Sequence, residues 1–136
     1  MTIRRKIAAA VAAALFPAMA AAGAMDECGG TDDREAAAKC LATLDGETQV
    51  ALKTAETAAG RAARDVEVAT KRPGAYTAFA SSSRAFALYQ QAQCDYVRAM
   101  QPDAGAPAAA EPTAATLARV ACRVELARER IETLRQ

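Results

Sequence analysis

Four cysteines, Cys28, Cys40, Cys94 and Cys122, carry the most specific chemistry in this chain. There is no histidine. Without an imidazole, neither a Ser-His nor a Cys-His nucleophile pair can form. No G-x-S-x-G elbow and no glycine-rich phosphate loop is present. The cysteines do not occur as C-x-x-C, so the local ligand spacing of a structural zinc site is missing. The carboxylates are spread along the chain, many within a turn of an Arg or Lys, and Asp65 and Glu67 flank no obvious cleft. A two-carboxylate glycosidase needs such a cleft, and a short helical bundle rarely forms one. No catalytic residue, cofactor ligand or metal ligand is therefore assigned, and the chain is not read as an enzyme. The chemistry left to the cysteines is oxidation: an even count in an exported chain reads as two disulfides.

Export follows from the first residues. Arg4, Arg5 and Lys6 form a positive n-region, Ile7 to Phe16 is an apolar run, and Pro17 ends it. Small residues follow. Ala22-Gly23-Ala24 is the best A-x-A cleavage site and Ala20-Ala21-Ala22 the second choice. The apolar run is about half the ~20 residues of a spanning helix. The expectation is a signal peptide over residues 1–24, a mature domain over 25–136, and no membrane anchor after cleavage. The protein would then be periplasmic or secreted.

The mature domain keeps 14 of the 17 Lys and Arg and all 16 Asp and Glu, a net charge of −2. Such a balance gives no polybasic surface for nucleic acid. Both signs are dispersed, as on solvated helix faces. Much of the 52% hydrophobic content is alanine. Large apolar residues are sparse, so covalent staples are the expected remedy for a small core.

Three helices must position the cysteines. Asp32 can cap the first, with Glu35 three residues on as in a capping box. Helix formers then run from Asp33 to about Thr70, and Leu41, Leu44, Leu52, Ala55, Ala59, Ala62 and Val66 make one stripe. Gly46 and Gly60 weaken this helix by ~1 kcal/mol each, and a kink near Gly46 is allowed. Lys71 and Arg72 suit its C-terminal dipole, and Pro73-Gly74 breaks it. The second helix spans about Ala75 to Met100. Phe79, Phe86 and Met100, and likewise Tyr89 and Tyr96, recur at sevens or fourteens, a spacing read as core packing. Gln101 to Pro112 is a Pro/Ala/Gly-rich loop, a tether or a variable contact. The third helix runs from about Thr113 to Leu134, with Leu117, Ala121, Val124 and Ile131 on one face. The fold class is all-α: a small three-helix bundle or helical hairpin stapled by two disulfides.

Geometry helps choose among the three possible cysteine pairings. Cys94 lies about 9 Å back from the end of the second helix and Cys122 roughly 13 Å into the third, at 1.5 Å per residue. In an antiparallel hairpin these levels can meet, given some freedom in the helix ends. Cys28 and Cys40 would be ~18 Å apart in one continuous helix, beyond the ~7 Å limit between bridged Cα atoms. They can pair if Gly29-Gly30 folds the N-terminal arm back. The expected bridges are Cys28–Cys40 and Cys94–Cys122.

The C-terminal half resembles the LprI-type lysozyme inhibitor family. An aromatic residue, another three on and a cysteine eight on appear as Phe86, Tyr89 and Cys94. The later pattern of cysteine, Leu, Arg and Leu at steps of four appears as Cys122, Leu126, Arg130 and Leu134, with Glu125 also in place. Cys28 and Cys40 resemble the family's N-terminal pair. The chain departs from the pattern where Phe86 replaces a usual Trp, Gln90 an Arg and Ala127 a Thr. The family's Gly-Gly-Ser-like element and its Asp-x-x-Leu-Asn-x-x-Tyr segment are not recognisable. The matched positions are cysteines and packing residues, a family-motif scaffold of Phe86, Tyr89, Leu126, Arg130 and Leu134 that identifies no partner contacts. The resemblance implies a protein partner, a lysozyme-type muramidase occluded sterically and electrostatically. The alternative is a non-inhibitory cell-envelope binding module on the same scaffold. Candidate contacts are the Gln101–Pro112 loop and the helix faces around Tyr89, Tyr96 and Arg98.

Overall fold

The computed structural model describes residues 23–30 and 32–136. Most of the expected signal segment lies outside the described residues. Four helices follow in order: α1 Ala24–Glu27, α2 Arg34–Thr70, α3 Ala75–Ala99 and α4 Ala114–Leu134. No strand occurs among the described residues. The protein is all-α, as its periodicity predicts.

The N-terminal arm does fold back. Gly29 and Gly30 take positive φ values of 80° and 71°, a conformation that only glycine adopts without cost. The turn brings Cys28 to Cys40, bridged with Cα atoms 5.6 Å apart. Cys94 and Cys122 are bridged at the same Cα separation. The cap of α2 is Asp33, not Asp32: its carboxylate accepts the Ala36 N–H at 3.0 Å. The capping box fails with the one-residue shift, and Glu35 instead pairs with Lys39 one turn on. The helix passes through Gly46 without a break.

α2 and α4 run parallel and pack directly on each other, and α3 returns antiparallel against both. One cluster joins Ala24, Ala37, Leu41, Leu117, Ala121 and Val124; a second joins Leu52, Ala127 and Ile131. Leu41 and Val124 are fully buried, and each such side chain contributes about 1.5–3 kcal/mol of transfer free energy. Thr113 caps α4 by accepting the Thr116 N–H, and Thr116 returns the bond to the Thr113 N–H.

The helices differ in length. α2 has 37 residues and α4 has 21. Leu134, at the end of α4, packs against the Leu52–Ala127–Ile131 cluster, as do Ala55 and Phe86. The remaining stretch of α2, from Ala55 to Thr70, extends about 22 Å past that level. There, among the described residues, it is accompanied only by the start of α3. In this two-helix arm the predicted stripe does not become core: Val66 is 51% exposed, Ala62 is exposed, and Gly60 is buried. A third helix is needed to cover such a stripe, and α4 ends too soon. Gly60 is where the two helices touch. A Cβ there would lie 3.0 Å from a ring carbon of Phe79 and 3.6 Å from Tyr76.

Candidate interaction surfaces

The family-motif residues lie along the seam between α3 and α4, in two groups. Phe86 and Leu134 pack on the Leu52–Ala127–Ile131 cluster. The Arg130 guanidinium lies 5.5 Å from the centre of the Phe86 ring and donates to Ser82 Oγ at 3.0 Å. Tyr89 and Leu126 belong to the other group, where they line an open groove of about 370 Å³ with Val97, Glu125 and Glu129. The Cys94–Cys122 bridge joins the two helices, and Gln90 Nε2 donates to the Arg123 carbonyl at 2.9 Å.

The seven-residue spacing of aromatics on α3 misleads at its outer positions. Tyr89, Tyr96 and Met100 are all more than half exposed. With three long helices, α3 has neighbours on one side only, and its far side meets solvent. Arg98 is exposed as well.

The Gln101–Pro112 loop is neither a bare tether nor a free contact. Asp103 accepts the Ala114 and Ala115 N–H groups at 2.8 and 2.9 Å, at the start of α4. Arg34 lies 3.6 Å away. Burial pushes the Asp103 carboxyl up, but the two N–H donors and Arg34 outweigh it and hold the carboxyl below its usual range. Glu111 accepts from the Thr113 N–H and the Thr116 hydroxyl. Both loop carboxylates are therefore spent on the end of α4.

A third surface is the tip of the arm, where sequence reasoning saw only a helix dipole and a break. Lys71 ends α2 in the left-handed region at φ 55°, and Gly74 starts α3 at φ 116°. The chain reverses over these four residues. Glu67 fastens the reversal by accepting the Tyr76 and Gly74 N–H groups at 2.9 and 2.8 Å, bonds that hold its carboxyl below the usual range. The Arg64 guanidinium stacks 4.1 Å from the centre of the Tyr76 ring, a cation–π contact. Lys71 and Arg72 are exposed, and neither pairs with a carboxylate among the described residues. Val68, beside them, is 79% exposed. The signal for this surface was the 16-residue excess of α2 over α4.

Fold and surface together define a small, disulfide-stapled helical protein. The chain belongs to the LprI lysozyme inhibitor family: the family model described as "Lysozyme inhibitor LprI" matches residues 24–134. No curated protein and no solved structure matches.

Proposed function

We propose that this protein acts outside the cytoplasm, binding a lysozyme-type muramidase and blocking its cleft. The observation that carries the reading is the family match, which spans the folded unit from Ala24 in the core to Leu134 at the end of α4. Two disulfides support the compartment, since such bonds persist in oxidising environments. No helix among the described residues is long and apolar enough to cross a membrane. Export by the N-terminal signal completes the reading, with one change to the cleavage site. Ala24 is fully buried and donates its N–H to Glu125 at 3.2 Å. Processing before Gly23, at the second-choice site, retains that residue in the core.

The test is lysis of a cell-wall suspension by c-, g- and i-type lysozymes, with and without the purified mature protein. The expected result is stoichiometric, reversible inhibition of at least one class. Failure to inhibit or bind any class at micromolar concentration rejects the reading and leaves the non-inhibitory scaffold.

A further inference from the structure

We propose that the tip of the α2–α3 arm is the element that enters the muramidase cleft, with Lys71 and Arg72 facing the enzyme's catalytic carboxylates. The proposal rests on the inhibitor reading above and names the contact that reading leaves open.

Shape is the first argument. A blocking element must be narrow, and it must stand clear of the body that carries it. Past Ala55 the molecule is two helices side by side, one helix thick in one direction, or about 10–12 Å. Rigidity is the second. Both helices run unbroken to the turn, Gly60 lets them close on Phe79, and Glu67 and the Arg64–Tyr76 stack fix the reversal. A pre-ordered tip loses little conformational freedom on binding.

Charge is the third. Glycosidic cleavage of this kind uses a pair of carboxyl groups beside the scissile bond. A cation placed there meets opposite charge in a site shielded from water. Residues 56–81 carry four basic and three acidic side chains, a net of +1, while the rest of the chain from residue 23 carries ten and thirteen, a net of −3. Six of the body's cations are held in ion pairs, and all six pairs lie outside residues 46–94. Lys71 and Arg72 are uncommitted, and exposed Val68 and Pro73 add apolar contact beside them. The α3–α4 groove lacks this complementarity, because Glu125 and Glu129 line it.

The experiment compares the whole mature protein with a K71E/R72E double variant, using the lysozyme class that the wild type inhibits. K53E and K39E, exposed charges on the body, serve as controls. The double variant should bind about 30-fold more weakly or worse, the scale of losing a desolvated charge pair, with unchanged melting temperature. Both controls should inhibit as the wild type does. A chitooligosaccharide occupying the cleft should compete with the wild type. Equal inhibition by K71E/R72E and wild type overturns the tip assignment while leaving the inhibitor reading intact. Binding that the oligosaccharide does not displace overturns cleft entry in the same way. A wild type that neither binds nor inhibits any lysozyme rejects the inhibitor reading and the tip with it. Tip-dependent capture by phosphatidylglycerol vesicles, without lysozyme binding, would show that the tip serves an anionic lipid surface and overturn the proposal.

Discussion

The body and the arm of this molecule are built from the same two helices by different means. Below Ala55, α4 lies against α2 and α3, and there the two buried clusters, both disulfides and all six ion pairs are found. Beyond it, the same backbones continue with Gly60 as the buried point and exposed Val66 and Val68 on the surface. Helical hydrogen bonding alone does not stabilise a segment this short in water. The arm is held by docking to its partner helix, by continuity with the body, and by the turn. Local opening free energies should therefore fall along α2 from the body toward Thr70.

The largest expected effect breaks the comparison most directly. Leu41→Ala empties a fully buried site in the body and should cost about 2–5 kcal/mol. Val66→Ala, at the same kind of position on the same helix but in the arm, should stay within about 0.5 kcal/mol. Denaturant unfolding of both variants checks this, and similar losses would mean the arm has a core of its own. Removing the Cys94–Cys122 bridge with paired serines should cost ~2–4 kcal/mol. An unchanged melting temperature would deny the bridge a structural role. Hydrogen exchange in the oxidised protein should show faster opening in residues 57–81 than near Leu41.

That contrast also explains what the sequence makes legible. Helix limits, cysteine pairing and the core face of α4 follow from periodicity, glycine positions and reach, all local properties. The Leu41-to-Val66 stripe is equally regular along its length, yet only its first half is covered. Periodicity states which face is apolar; it does not state how far the partner extends. Comparing 37 residues of α2 with 21 of α4 would have revealed the gap. Tyr89 and Tyr96 fail for a related reason, since their spacing is compatible with either side of α3. Asp32 and Asp33 differ by one residue, and the helix start that makes Asp33 the cap is not marked by residue type. Arg130 and Phe86 show as a motif in the sequence, but their stacking and the Ser82 contact need the α3–α4 packing.

Acid sharpens the comparison next, because each region has its own carboxylates below the usual range. In the body, a hydrogen bond from Arg128 lowers Glu27 against a smaller opposing effect of burial. Asp103 is lowered at the start of α4 and Glu67 at the tip. A carboxyl lowered on folding adds stability above its ordinary value and loses it as pH falls through its folded value. Stability should thus decline on acidification through the ordinary carboxylate values, 4.5 for Glu and 3.8 for Asp, and below. Asp103→Ala should remove part of that acid sensitivity and lower the melting temperature at neutral pH, as it uncaps α4. Glu67→Ala should speed amide exchange at Gly74 and Tyr76 and barely move global melting. Identical responses of the two variants would erase the distinction between body and arm.

The smallest effect concerns where the body begins. The Ala24 methyl is buried against Leu41, Leu117 and Val124, and its N–H reaches Glu125. A chain beginning at Met25 loses both, while the Cys28–Cys40 bridge still ties the rest of α1 to α2. One buried methyl is worth about 0.8 kcal/mol, and a part-buried hydrogen bond to a carboxylate about 1.5 kcal/mol at the low end of its class, so the loss should be about 2 kcal/mol. Glu125 lies so close to Gly23 that a Cβ there would sit 2.8 Å from its carboxylate oxygen. A new ammonium group at Gly23 is then well placed to face that carboxylate, so the longer chain's advantage should shrink as salt rises. Intact mass of protein exported with its own signal should report Gly23 as the first residue. A Met25 start, with chains beginning at Gly23 and Met25 melting at the same temperature, would show that Ala24 contributes nothing to the body and would restore the Ala22-Gly23-Ala24 site.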